Sequence, residues 1–242
     1  MHAPRLRHQL SCVFPAYDEA DCLAETIAEW SAALAACTRA FEIIVVDDGS
    51  TDGTGRLLAE LARDTAGLRV ITHERNLGYG AAIVHGFAEA TFPLVCFSDA
   101  DGQYDPSDLP ALLERVDGAD LVVGRRVRRA DSGLRRLLSN GYNALARLAV
   151  GVPLHDLNCA FKLMPRDAFR HLGVTSTDFA VNADLVMRAR SAGWAIVEVP
   201  VRHRPRRAGR STVRPAHVLI GLAGLVRLRA GQARVPAPHG TT

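Results

Sequence analysis

The chain has 242 residues, 48% hydrophobic and 23% charged, which suits one globular α/β domain with a full core. A formal charge of +3 is too small to imply nucleic acid, so no nucleic-acid partner is expected. The longest apolar stretch, residues 218–226, falls far short of the ~20 residues a spanning helix needs. Residues 1–10 carry Arg5, Arg7 and two His without an apolar run, so they do not read as a secretory signal. The five cysteines are scattered, with no CxxC pair, which points to reduced thiols in a cytoplasmic compartment. Basic residues, all Arg except Lys162, gather after residue 124, while the acidic motifs precede it. That asymmetry suggests one end that handles a metal and another that handles an anion.

In chain order, residues 10–14 and 41–46 are short apolar runs ending at polar clusters, the pattern of buried parallel strands. Between them, residues 19–39 place Leu23, Ile27, Trp30 and Leu34 at helical spacing. Ser50-Thr51-Asp52 offers an N-cap to a helix over 53–66. A third strand over 68–71 leads through a Gly-containing loop to a helix over 79–89. A fourth over 93–98 precedes a helix over 106–116, and a fifth follows at 120–124. Beyond it the spacing predicts an amphipathic helix over 134–150, a strand over 195–201, an Arg-rich loop and a final apolar helix. The alternation predicts an α/β fold: a mostly parallel, doubly wound sheet with helices on both faces and C-terminal amphipathic helices. Ligands of such sheets bind at the carboxyl ends of the strands.

Three polar clusters fall at those ends. Pro15-Ala16-Tyr17-Asp18-Glu19 follows the first strand, and Asp47-Asp48-Gly49-Ser50-Thr51-Asp52 the second. Neighbouring carboxylates repel unless something positive or hydrogen-bonding lies between them, and a nucleotide base and ribose supply such donors. The plainer alternative is that Asp47 and Asp52 cap the next helix. After the fourth strand, Asp99, Asp101 and Gln103 alternate, so on an extended segment all three share a face. Hard divalent cations take oxygen ligands, and Mg2+ or Mn2+ combines one or two carboxylates with substrate phosphates. No GxGxxG follows the first strand and no GxxxxGK[ST] occurs, which argues against a nicotinamide site and a P-loop. A nucleotidyltransferase would carry a Gly-rich basic loop after the first strand, where this chain has Pro-Ala-Tyr-Asp-Glu. Gly78 and Gly80 of Asn76-Leu77-Gly78-Tyr79-Gly80 suit a close backbone approach or a helix start.

These four segments, in this order, resemble family 2 glycosyltransferases of the GT-A fold, and more narrowly the polyprenyl-phosphate (dolichol-phosphate) mannose and glucose synthases. The resemblance covers residues 9–230, as a single catalytic domain with a nucleotide-sugar half (9–124) and an acceptor half (125–230). Residues 1–8 would be an N-terminal extension and 231–242 a disordered tail. The resemblance implies that Pro15, Tyr17, Glu19, Asp48 and Ser50 contact the nucleotide sugar, joined by Asp99 and Ala100. It implies a metal–diphosphate site at Asp99, Asp101 and Gln103, occupied by Mg2+ or Mn2+, with Asp101 essential to transfer.

Gly124-Arg125 falls where the family carries a Gly-Ser-Arg segment facing the acceptor. Leu134, Leu137, Leu138, Tyr142, Leu145 and Leu148 share a helical stripe, where the family places a membrane-interface helix. By resemblance, Arg125, Arg135, Ser139, Arg206 and Ser211 would receive a lipid phosphate. Asp156-Leu157-Asn158-Cys159-Ala160-Phe161-Lys162 resembles an Asp-x-x-Ser-Gly-Phe-Lys/Arg segment, with Cys159 and Ala160 in place of Ser and Gly. The loop 206–212 carries Thr212 where Lys is usual, and Asn182 and Asp184 stand where a Glu is expected. The implied reaction is inverting transfer of a hexosyl group from a nucleoside-diphosphate sugar, GDP-mannose first and UDP-glucose second, to a polyprenyl phosphate. The enzyme would lie on the cytoplasmic membrane face as a peripheral protein. An acceptor phosphate is already ionised, whereas a hydroxyl acceptor in a soluble or natural-product substrate would need a base such as Asp156. A non-catalytic nucleotide-binding module is the alternative of another class.

Overall fold

The computed structural model describes residues 7–127 and 154–206. In chain order its elements are β1 (Gln9–Ala16), α1 (Ala20–Cys37), β2 (Ala40–Asp47), α2 (Thr54–Asp64), β3 (Leu68–Thr72) and α3 (Tyr79–Glu89). There follow β4 (Leu94–Phe97), α4 (Leu109–Leu113), β5 (Leu121–Val127), β6 (Lys162–Pro165), α5 (Arg166–Leu172), α6 (Val181–Ser191) and β7 (Ile196–Arg202). The seven strands form one sheet in the order β3-β2-β1-β4-β6-β5-β7. Only β6 runs against its neighbours β4 and β5; the other pairings are parallel.

Almost every residue of β1 and β2 is buried, which is why both read as unbroken apolar runs rather than alternating ones. Helices cover both faces. Phe14 meets Trp30 of α1 edge-on at 5.2 Å, and Trp30 meets Phe161 at 5.1 Å. The adjacent Val13 points the other way, against α3, where a Cβ on Gly86 would come within 2.4 Å of Val13 Cγ1. On that face Phe87 packs edge-on with Phe97 and Phe169.

The chain winds outward from β1 through β2 to β3, then returns to β4 on the other side of β1. The direction of winding reverses between β1 and β4, and the crevice that opens at such a switch point is where open α/β sheets bind ligands. Because β6 enters antiparallel, with Lys162 beside Phe97 and Val123, the segment before it also arrives at this carboxyl edge.

Three local expectations change. The strand β6 goes unread in the sequence, since a Lys opens it and only four residues make it up. The helix expected over 106–116 is a 3-10 turn at Pro106–Asp108 followed by the five-residue α4. At the start of α2 the N-cap is Gly53, without a side-chain cap; Asp52, one residue earlier, accepts from the Thr54 N–H at 2.9 Å. The helix expected over 134–150, the final apolar helix and the tail lie outside the described residues. Among the described residues no helix is long and apolar enough to cross a membrane.

Candidate active site

The carboxyl ends of β1 and β4 bring Glu19, Asp99 and Asp101 together. Burial pushes the Asp101 carboxyl up to about 7, and the charge of Asp99 adds to the effect. Asp99 is raised by burial too, against the pull of a hydrogen bond from Tyr79. Glu19 is raised by burial, against its pairing with Arg206. Three crowded acids whose ionised forms are disfavoured make a site that a cation would relieve. The Tyr79 hydroxyl donates to Asp99 Oδ1 at 2.8 Å, and Asp101 Oδ1 accepts the Gln103 N–H at 3.1 Å. Gln103 is drawn aside: its Nε2 donates to the Arg204 carbonyl at 3.1 Å, which leaves Oε1 as its remaining acceptor. Among the described residues no three His, Cys, Asp or Glu side chains form a metal-holding group by themselves. Two carboxylates and an amide oxygen fit a Mg2+ or Mn2+ that takes its other ligands from substrate phosphates and water.

The segment after β7 borders this site. The Arg204 N–H donates to the Gln103 carbonyl at 2.7 Å and its carbonyl accepts from Gln103 Nε2, while its guanidinium pairs with Glu29 at 2.8 Å and Asp105 at 2.9 Å. Thus strapped, the chain delivers Arg206 onto the Glu19 carboxylate. Among the described residues, the buried Nε of Arg206 and the buried Ser98 Oγ beside Asp99 have no hydrogen-bond partner. Buried polar atoms left in this way fit a site that receives a polar ligand. Cys22 lies under Glu19, and burial pushes its thiol up to about 12.

The two expected nucleotide clusters are laced to each other. Ser50 Oγ accepts the Asp18 N–H at 3.0 Å, and Asp18 Oδ1 accepts the Thr51 N–H at 2.7 Å. Pro15 is buried within β1, opposite Val46; Tyr17 is half-buried at the rim, and Ala100 is buried beside Cys22. Asp47 turns back on the Ser50 N–H at 3.0 Å. Asp48, expected at the base and ribose, is itself buried. Its oxygens meet His73 Nδ1 at 2.7 Å, the Leu77 N–H at 2.8 Å and the Gly78 N–H at 2.9 Å. Its carboxylate therefore shapes the 73–78 loop that borders the cleft, rather than standing open to solvent.

On the far side, Asp156 grips Arg126: Nε–Oδ2 is 2.6 Å, Nη2–Oδ1 is 2.8 Å, and the Arg126 N–H adds a bond to Oδ2 at 3.2 Å. Both oxygens of the carboxylate named as a base for a hydroxyl acceptor are thus held by a guanidinium. Successive strand residues face opposite ways, so Arg125 turns away from Arg126, and it is Arg126 whose charge reaches Asp99. Lys162 is fully buried and donates to the carbonyls of Leu157 and Cys159 and to Asn182 Oδ1. Burial lowers its ammonium to about 8. Arg135, Ser139 and Ser211 lie outside the described residues.

A family model described as glycosyl transferase family 2 matches residues 11–173, a span that holds every strand end just described except that of β7. The chain belongs to this family. An uncharacterized glycosyltransferase of Mycobacterium tuberculosis is 37% identical over 188 residues, 75% of this chain and 82% of its own. The undecaprenyl-phosphate 4-deoxy-4-formamido-L-arabinose transferase of Klebsiella pneumoniae is 34% identical over 209 residues, 84% of this chain and 62% of that protein. Among solved structures, the glucosyl-3-phosphoglycerate synthase of Mycobacterium tuberculosis, in complex with Mn2+, UDP and glucosyl-3-phosphoglycerate, superposes with a TM-score of 0.72. It is 21% identical and covers 96% of this chain and 82% of its own, a likeness of fold.

The glycosyltransferase thus gathers Glu19, Asp99, Asp101, Gln103 and Arg206 at one crevice, and leaves Arg125 off it. Two residues of the cleft go unread in the sequence: Tyr79 and Arg126. For Arg126 a signal exists in the strand alternation after Gly124. Tyr79 reaches the site through a contact with Asp99 that spacing does not disclose.

Proposed function

We propose that this glycosyltransferase moves a hexosyl group from a nucleoside-diphosphate sugar, GDP-mannose first and UDP-glucose second, to a polyprenyl phosphate. The observation that carries the reading is the crevice itself, where Glu19, Asp99 and Asp101 are crowded together and bordered by the guanidinium groups of Arg126 and Arg206. Asp99 and Asp101, with the Gln103 amide oxygen, are the groups that would hold Mg2+ or Mn2+. Such an ion, when bound, neutralises charge on the departing diphosphate. Pro15, Tyr17 and Ser50 border the nucleotide on the β1 and β2 side, and Asp48 acts there by holding the 73–78 loop.

An acceptor oxygen attacks the anomeric carbon from the face opposite the diphosphate. The new carbon–oxygen bond forms as the bond to the diphosphate breaks, the electron pair leaves with the diphosphate, and the anomeric centre inverts. Because Asp156 is committed to Arg126, an acceptor that arrives already ionised suits this cleft better than a hydroxyl that must lose a proton. The undecaprenyl-phosphate transferase named above supports the same choice of acceptor. Arginines matched to phosphate geometry, with Arg135, Ser139 and Ser211 added from the sequence, would receive the acceptor at the membrane surface as a peripheral contact.

The test incubates the protein with a panel of nucleotide sugars, Mn2+ and a short-chain polyprenyl phosphate, and looks for a glycolipid. The expected outcome is product from one donor, abolished by Asp101→Ala in a folded protein. Transfer only to soluble hydroxyl acceptors would replace the acceptor reading, and full activity of Asp101→Ala would overturn the metal–diphosphate assignment.

A further inference from the structure

Tyr79 opens α3 at the wall of the cleft, and its surroundings are built to hold it still. Its hydroxyl donates to Asp99 Oδ1 at 2.8 Å, and its ring lies nearly parallel on Phe179, 5.1 Å between centroids at 15°. Phe179 belongs to the connection between α5 and α6, which is fastened at two points. Asp184, fully buried, accepts the Thr175 and Ser176 N–H groups and the Ser176 hydroxyl. The Thr177 carbonyl accepts the Gly80 and Ala81 N–H groups at 2.9 and 3.2 Å, satisfying donors that the first turn of α3 would otherwise leave open. The approach is so close that a Cβ on Gly80 would come within 2.2 Å of the Ser176 carbonyl oxygen. Tyr79 is thereby clamped between a fixed backbone and a fixed ring, with only its hydroxyl engaged in the cleft.

We infer that Tyr79 is a positioning residue for transfer, acting through Asp99. Its hydroxyl holds Oδ1 and fixes the carboxylate plane, so that the acceptor sites left free are offered to the metal–diphosphate in one orientation. An unrestrained aspartate turns broadly about its terminal torsion, and ordering it would be charged to ligand binding. Held in advance, it meets the ligand in one geometry. The Phe179 ring secures the tyrosine from the other side, so the α5–α6 connection helps set the first carboxylate of the diphosphate site. The inference rests on the reading of Asp99 as a ligand of the metal–diphosphate.

Mn2+ binding, measured by electron paramagnetic resonance on the full chain with UDP or GDP present, is the readout, alongside the Mn2+ dependence of transfer. Tyr79→Phe keeps the ring stack and removes only the hydroxyl. It should weaken Mn2+ binding by roughly tenfold or more, the scale of one hydrogen bond to a charged group, while nucleotide binding in EDTA stays unchanged. Phe179→Leu should shift Mn2+ binding in the same direction by less, and Phe179→Trp should restore it. Asp99→Asn separates the two ideas. If Asp99→Asn leaves Mn2+ binding intact, the metal-site reading fails and this inference falls with it. If Asp99→Asn abolishes Mn2+ binding while Tyr79→Phe changes it less than twofold, the inference alone is overturned. If Tyr79→Phe lowers the melting temperature, the Phe179 pair decides by the same criterion.

Discussion

Burial and the charge of Asp99 hold the Asp101 carboxyl near neutral rather than at the ordinary carboxylate value, up to about 7. A carboxyl whose folded pKa is raised binds its proton more tightly in the native state than in the unfolded chain. Its contribution to stability is complete below the unfolded value near ~4 and is lost as pH rises through about 7. At pH 8 without a cation, therefore, Asp101 is ionised in a place that resists ionisation. Asp101→Asn removes that strain: in EDTA at about pH 8 the variant should melt at least ~2 °C above the unaltered protein, a shift worth about 1 kcal/mol at this chain length. At about pH 4 the difference should shrink toward zero. Thermal unfolding followed by circular dichroism at the two pH values decides it, and equal melting temperatures at pH 8 would refute the strained carboxylate. The pair Asp99 and Asp101 was readable in the sequence because two residues of spacing define it. Arg126 was not separated from Arg125, because both sit beside Gly124 and only the direction of the strand tells which guanidinium meets Asp156.

At the scale of elements, the α3 start depends on glycines whose partner lies far along the chain. Gly78 and Gly80 were legible as a close approach, yet nothing near them in sequence identifies residues 176–178 as what approaches. A Cβ at Gly80 would meet the Ser176 carbonyl oxygen at 2.2 Å, the Thr177 carbonyl carbon at 2.8 Å and the Asp178 carbonyl oxygen at 2.8 Å. These are backbone atoms and cannot turn aside as a side chain could. Gly80→Ala should therefore destabilise the protein by roughly 2–4 kcal/mol, measured by urea unfolding. It should also reduce transfer, because the displaced turn carries Tyr79. A change below ~0.5 kcal/mol would mean that the connection gives way freely. The strand β6 was hidden for a related reason: it opens on Lys162, and a buried ammonium is tolerated there only because two carbonyls and Asn182 reach it from other elements. Local hydrophobicity carries no trace of that arrangement.

At the scale of the molecule, the order of the sheet decides what meets what. Reversal between β1 and β4 sets Glu19 across from Asp99 and Asp101, and the parallel β5–β7 pair returns the chain so that Arg206 lands on Glu19. The sequence disclosed the parallel sheet and its acidic edge, since buried strands and polar strand ends are local patterns. It left open how the basic second half folds back, because that depends on the β7 register and the strap between Gln103 and Arg204. The crevice therefore sets crowded acids beside the guanidinium groups of Arg126 and Arg206, and the ligand proposed for it is itself an anion. A nucleoside diphosphate alone meets those acids as a like charge, and a divalent cation alone leaves ligand positions that the protein does not fill. Each should strengthen the other, and by linkage the factor must be the same in both directions. Mn2+ should tighten GDP or UDP at least about tenfold over EDTA, within the usual range of coupling between sites. Isothermal titration of each nucleotide with and without Mn2+, and of Mn2+ with and without nucleotide, closes the cycle. Nucleotide affinity that ignores the cation would mean that the acids at the β1–β4 switch face the diphosphate without a metal between them.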